Sequence, residues 1–73
     1  MNIALKVKRV EKGLTQKEVS KQLGIVNTGY SLIETGKRSG KLEIWLAIQK
    51  LFEIPDEEMW GIIKANIKEK TNE

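Results

Sequence analysis

The chain has 73 residues, of which 40% are hydrophobic and 32% are charged, and its formal net charge is +3. This composition is typical of one small folded domain, near the lower size at which a hydrophobic core is self-sufficient. No apolar run approaches the roughly 20 residues that cross a bilayer, and the charged N-terminus lacks the apolar segment of a secretory signal. We therefore expect a protein that remains in the cytoplasm.

Cysteine and histidine are both absent. Their absence excludes disulfides, thiol nucleophiles and the commonest proton shuttle, and it removes the usual ligands of zinc. There is no glycine-rich phosphate loop, and Asp56, Glu57 and Glu58 cluster where a helix is predicted to start, which suits its dipole better than catalysis. We therefore expect no enzymatic function, no metal or other cofactor, and no small-molecule ligand.

Basic residues are concentrated in the first half of the chain. Residues 1–41 contain nine Lys or Arg and three Glu, a net charge of +6, whereas residues 42–73 contain four Lys and seven acidic residues, a net charge of −3. A basic half is expected of a surface that faces nucleic-acid phosphates. The acidic half argues against indiscriminate binding to polyanions.

The spacing of apolar and helix-terminating residues predicts five helices and no strand. Ile3, Val7 and Val10, with Leu5 beside them, form the apolar stripe of a first helix. Gly13 is expected to end this helix.

A second helix is predicted over residues 16–23. Thr15 can cap its N-terminus, and Glu18 three residues later completes a capping box. Gly24 is expected to end it, because glycine readily adopts the left-handed conformation found after helices.

A third helix is predicted to follow and to end at Gly36. Asn27 or Thr28 can cap it, and Tyr30 and Ile33 are expected to face inward. Two short helices joined by a glycine-containing turn are typical of the helix-turn-helix, whose second helix enters the DNA major groove. The same spacing also occurs in helical domains that bind no DNA.

The polar loop 36–41 leads to a fourth helix with a strong apolar face. Its expected inward residues are Leu42, Trp45, Leu46, Ile48 and Phe52. Pro55 and the acidic residues after it favour the start of a fifth helix, which should continue to Ile67. The domain is predicted to span residues 1–68, with the helix-turn-helix at about 15–35 and a frayed tail at 69–73.

A gapless run from Leu14 to Arg38 resembles the helix-turn-helix of phage repressors and Cro proteins, the XRE family. Its most specific pieces are Leu14-Thr15-Gln16, Leu23-Gly24, Ile33-Glu34 and Gly36-Lys37-Arg38, and the resemblance covers residues 3–63. It implies an all-α, five-helix fold of the lambda-repressor type. It also implies a sequence-specific regulator of transcription that binds double-stranded nucleoid DNA, most simply a repressor that binds a palindromic operator as a homodimer.

The outer face of the third helix supplies the candidate base contacts, because Tyr30 and Ile33 are assigned to its inner face. These candidates are Asn27, Thr28, Ser31 and Leu32, whose side chains favour A·T-rich sequences. Asn27 is also a candidate helix cap, and one side chain cannot fully serve both roles. The predicted contacts to the DNA backbone are Gln16, Lys17, Thr35, Lys37, Arg38 and Lys41.

The resemblance further implies that Arg9 and Glu34 form a partly buried ion pair between the first and third helices. Arg9 is therefore interpreted as structural and not as a DNA contact. Glu34 then belongs to the residues that hold the motif in shape.

The second half carries more apolar residues than so small a core can absorb, which indicates a protein partner. The predicted interface of a two-fold homodimer, on the fourth and fifth helices, consists of Ile44, Leu51, Trp60, Ile63 and Ile67. Such a dimer would set two recognition helices about 34 Å apart, one turn of DNA. The alternative is an antitoxin or anti-repressor type of interaction module that uses the fifth helix on another protein.

Overall fold

The computed structural model describes residues 1–71 and the side chains of residues 1–67. Its helices are α1 (Ile3–Glu11), α2 (Gln16–Leu23), α3 (Asn27–Glu34), α4 (Leu42–Phe52) and α5 (Asp56–Thr71). Residues 1–71 contain no strand. The predicted all-α fold of five helices is confirmed.

Both ends of α2 lie where the sequence predicted them. The Thr15 hydroxyl accepts a hydrogen bond from the Glu18 amide at 3.1 Å, and the Glu18 carboxylate accepts one from the Thr15 amide at 2.9 Å. Gly24 ends the helix with φ of 74°. A side chain at this position would strain the backbone, so the turn between α2 and α3 depends on glycine.

The predicted cap of α3 is wrong. Val26 occupies the N-cap position and makes no side-chain hydrogen bond, whereas Asn27 and Thr28 are the first two residues of the helix. Capping therefore does not compete for the Asn27 side chain. The first turn of α3 presents backbone amides that no capping side chain satisfies.

The predicted apolar stripe of α1 faces outward. Leu5 is fully buried, but Ile3, Val7 and Val10 are 65%, 47% and 57% exposed. The opposite side of the helix carries Arg9, which forms hydrogen bonds with α3. Polar contacts and one leucine, and not the longer apolar stripe, decide which side of α1 packs.

One core takes side chains from all five helices. On α4, Trp45, Ile48 and Phe52 are buried as predicted, but Leu42 and Leu46 are 70% and 55% exposed, so their predicted inward position is wrong. Both lie away from the face centred on Ile48, and Leu46 is nearly opposite it around the helix. The buried apolar residues are Leu5, Val19, Tyr30, Ile33, Trp45, Ile48, Phe52, Ile54, Met59 and Ile62.

The last helix is longer than predicted. It starts at Asp56, directly after Pro55, and continues to Thr71. The described helix therefore runs three residues past residue 68, beyond which a frayed tail was predicted, and residues 72–73 of that tail lie outside the described residues. None of the described helices is long and apolar enough to cross a membrane.

Candidate nucleic-acid interface

The third helix, named the recognition helix from here on, presents two different sides. Tyr30 and Ile33 are 0% and 3% exposed and pack into the core. The four predicted base contacts turn away from the core, the first two exposed and the last two half-buried: Asn27, Thr28, Ser31 and Leu32. Within the described chain, the side chains of Asn27 and Thr28 form no hydrogen bond, so both are available to a partner.

The predicted DNA-backbone contacts lie before and after the recognition helix in the chain. Lys17 is exposed at the start of α2, and Lys37, Arg38 and Lys41 are exposed in the loop that follows the recognition helix. No ion pair within the described residues neutralises these four cations. Thr35 is half-buried, and its hydroxyl donates to a main-chain carbonyl of the recognition helix at 3.2 Å.

Glu34 is the centre of a hydrogen-bond network that joins α1, α2 and the recognition helix. Arg9 Nε and Nη2 donate to its two carboxylate oxygens at 2.7 and 3.2 Å. The Tyr30 hydroxyl donates to Oε1 at 3.0 Å, and Gln16 Nε2 donates to Oε2 at 2.8 Å. Arg9 Nη1 also donates to the Leu14 carbonyl at 2.7 Å. Three of the five guanidinium N–H groups thus have partners within the protein, which is consistent with the structural role predicted for Arg9.

The same network sets the ionisation of its members. Burial would raise the pKa of the Glu34 carboxyl, but hydrogen bonds from its three partners and the charge of Arg9 outweigh burial and lower it. The hydrogen bond to Glu34 raises the pKa of Arg9. Burial, and then the charge of Glu34, raise the pKa of Tyr30, which keeps this hydroxyl a donor.

Two members of this network were not identified from the sequence. Tyr30 lies one helical turn before Glu34, a spacing that places the two side chains side by side and could have revealed the contact. Gln16 was assigned only to DNA. It is half-buried, and its amide donates one N–H to Glu34, which leaves the second N–H without a partner among the described residues.

An open cleft of about 480 Å³ lies between the recognition helix and the start of α4. No ligand pocket was expected from the sequence. Apolar side chains form much of its lining, and cationic residues of the 37–41 loop form one edge, so the cleft belongs to the same side of the molecule as the predicted DNA contacts. Its lining includes Ile25, Val26, Ile33, Ile44, Arg38 and Lys41.

Val26 is a further candidate contact that the sequence did not single out. It is 71% exposed, directly precedes Asn27 and has no place in the core. Its position directly before the predicted base contacts was the available signal.

The five predicted dimer residues differ in exposure. Trp60 and Ile67 are 62% and 43% exposed. Ile44, Leu51 and Ile63 are half-buried and pack against the core. Only the first two are mainly free apolar surface, because the other three already contribute to the monomer.

Two leucines of α4 extend the free surface. Leu42, Leu46 and Gln49 are spaced four and three residues apart and therefore share one face of α4. In the same way, Asp56 and Trp60 share one face of α5. A hydrogen bond from Gln49 Nε2 to Asp56 Oδ1 joins these two faces where α4 leads into α5. The exposed apolar residues on these two faces are named the α4–α5 apolar surface: Leu42, Leu46, Trp60 and Ile67.

Known proteins share this arrangement. Residues 5–59 match the family described as "Helix-turn-helix". The chain is also 36% identical over 62 residues to a Vibrio cholerae protein described as "Cryptic phage CTXphi transcriptional repressor RstR". This match covers 85% of the chain but 56% of that protein, so the chain spans little more than half the length of its relative. No solved structure gives a significant match.

Five helices, with a recognition helix that has one packed and one open side, define a helix-turn-helix protein. The chain belongs to the XRE, phage-repressor type of this family. Members of the family are DNA-binding regulators of transcription. The family match includes both partners of the ion pair between Arg9 and Glu34, the whole recognition helix and the 37–41 loop.

Proposed function

We propose that this chain is a transcriptional repressor that binds a palindromic operator as a homodimer. The observation that carries the proposal is the open side of the recognition helix, followed in the chain by the unpaired cations Lys37, Arg38 and Lys41. The description of the Vibrio cholerae relative as a repressor supports the direction of regulation. A dimer bound over a promoter would repress by blocking access of the polymerase.

The side chains on the open side favour A·T-rich half-sites. The Asn27 amide can both donate to and accept from adenine, because it is not used as a helix cap. Thr28 and Leu32 can contact the thymine methyl group, and the Ser31 hydroxyl can bind either kind of base. The open side of the recognition helix contains no arginine, the residue that most often binds guanine. We therefore expect modest discrimination at each base pair.

Contacts to the DNA backbone then supply much of the affinity. Lys37, Arg38 and Lys41 are exposed and unpaired within the described residues, so they can displace counterions from phosphates. Gln16 and Lys17 can contact a phosphate at the start of α2, where the helix dipole favours an anion. Thr35 caps the end of the recognition helix, just before the loop in the chain.

The homodimer is proposed to form through the α4–α5 apolar surface. A small monomeric domain seldom leaves four large apolar side chains exposed on adjoining faces of two helices. A two-fold axis through this surface would repeat the recognition helix once per turn of DNA, about 34 Å apart. The half-buried residues of the predicted interface would pack between this surface and the core of the monomer: Ile44, Leu51 and Ile63.

Selection of bound duplexes from a random pool tests sequence specificity, half-site spacing and symmetry together. We expect recovery of inverted A·T-rich half-sites whose centres are separated by about one helical turn. Recovery of single, unpaired half-sites would contradict the homodimer. Failure to enrich any duplex at low salt would favour the interaction-module alternative.

Single substitutions should separate the two kinds of DNA contact. Lys37→Ala should weaken binding to every duplex and reduce the slope of log K against log salt by about one. Thr28→Ala should weaken operator binding by about 1 kcal/mol with an unchanged slope. Titrations of a fluorescent duplex at several salt concentrations measure both. Equal losses by Thr28→Ala on operator and unrelated DNA would contradict its assignment as a base contact.

A further inference from the structure

Two buried asparagines connect α5 to the end of the recognition helix. Asn66 and Asn2 are 0% and 2% exposed. Asn66 Nδ2 donates to the Ile33 carbonyl at 3.0 Å and to the Arg38 carbonyl at 2.9 Å. One amide group on α5 therefore holds both the last turn of the recognition helix and the basic loop that follows it.

Asn2 completes this network from the other side. Its Nδ2 donates to Asn66 Oδ1 at 2.7 Å and to the Ile62 carbonyl at 2.9 Å, and its Oδ1 accepts from the Leu5 amide at 3.2 Å. Its backbone amide donates to the Glu34 carbonyl at 3.0 Å. Both side-chain amides are satisfied as donors and acceptors, so the network fixes α1, the recognition helix and α5 relative to one another.

Burial alone does not call for amides at these two positions. An apolar side chain of similar size would fill the space without the cost of removing polar atoms from water. The amides instead make the packing specific, because their hydrogen bonds are directional and form only when α5 keeps one register against the recognition helix. The Ile33 carbonyl already accepts the Gly36 amide at 3.1 Å, so Asn66 adds a second donor to it from α5.

The loop that Asn66 holds is the one that carries the candidate phosphate contacts. Its hydrogen bond fixes the Arg38 main chain while the side chain remains exposed. α5 also carries Trp60 and Ile67 of the α4–α5 apolar surface, on the side next to Asn66. The helix proposed to bind a second copy is thus hydrogen-bonded to the loop proposed to bind DNA.

We propose that Asn66, oriented by Asn2, is a positioning residue that sets the basic loop and the end of the recognition helix against α5, and so makes DNA affinity depend on the docking of α5. This inference rests on the proposed DNA-binding function. It differs from a role in stability, because it assigns to Asn66 an effect on the phosphate contacts of the folded protein.

The test compares Asn66→Leu with Ile62→Val, both at buried positions of α5. Asn66→Leu keeps the branching and the number of side-chain heavy atoms but removes the donors to Ile33 and Arg38, whereas Ile62→Val removes a buried methyl group and keeps the network. Binding to the selected duplex is measured at several salt concentrations, well below the melting temperature of each variant. We expect Asn66→Leu to lose about tenfold in affinity, with a shallower salt slope, and Ile62→Val to bind as the wild type does.

A second variant decides the matter if Asn66→Leu does not fold. Asn2→Ser retains an oxygen to cap α1 but loses the hydrogen bond to Asn66, and we expect a smaller loss of about threefold in the same direction. Wild-type affinity and slope in the folded network variants would overturn this inference while leaving the proposed function intact. Absence of binding by the wild type would overturn the proposed function and this inference together.

Discussion

Glu34→Ala is expected to lower the free energy of unfolding by about 3–5 kcal/mol. The substitution removes the carboxylate to which Arg9 Nε donates a hydrogen bond at 2.7 Å. The Arg9 side chain, which is only 13% exposed, is then left without its ionic partner. It also removes the acceptor of Gln16 and Tyr30. Because small domains are stable by only about 5–15 kcal/mol, this loss removes a large part of the total stability and should lower the melting temperature by more than about 10 °C.

Thermal unfolding followed by circular dichroism measures this effect, with Thr28→Ala as the matched control. Thr28 lies on the same helix but is exposed and forms no side-chain hydrogen bond among the described residues. Its substitution should shift the melting temperature by less than about 2 °C. Equal shifts in the two variants would refute the division between residues that hold the motif and residues that contact bases.

The same loss should appear without mutation when Glu34 is protonated. Its pKa is lower in the folded state than its ordinary value of 4.5, so its stabilising contribution is complete above that value and is lost as pH falls through the lowered pKa. Glu34→Gln should be less stable at neutral pH yet lose less stability than the wild type as the pH falls below 4.5. Parallel losses would assign the acid sensitivity to other carboxyl groups.

Signals that act within one helical turn were sufficient to predict most helix boundaries. The capping box of Thr15 and Glu18 and the glycine at position 24 need no tertiary contact to work, and α2 has the predicted bounds. The start of α3 was predicted one residue or more too late, although Asn27 is a better cap than Val26. Ile25 packs against the core, and the preference of residue types for the cap position does not include this packing.

Periodicity showed that apolar stripes exist but not what covers them. Ile3, Val7 and Val10 form a longer stripe than the buried side of α1, yet the ion pair of Arg9 with Glu34 turns them outward. The bond from Asn2 to Asn66 joins residues 64 positions apart, so no local pattern could have indicated it. Local chemistry thus specifies the helices, and long-range polar contacts select the faces that pack.

The second large effect is expected at the α4–α5 apolar surface. Trp60→Glu should convert the proposed homodimer to a monomer, because two-fold symmetry would place a carboxylate twice in one apolar contact. Loss of the second half-site contact should weaken binding to a palindromic duplex by about 100-fold, within the range that bivalency supplies. Trp60 is 62% exposed, so the monomer should remain folded. Light scattering for the mass, and titration of the duplex, measure the two effects.

Val7→Glu is the matched control, since it adds the same charge to another exposed helical apolar residue, 47% exposed on α1. It should leave both the mass and the operator affinity close to those of the wild type. A dimer that persists in Trp60→Glu but dissociates in Val7→Glu would move the interface to the outward stripe of α1. A wild-type monomer with full operator affinity would remove the need for either surface in DNA binding. The comparison is decisive because each exposed stripe predicts a different variant as the monomer.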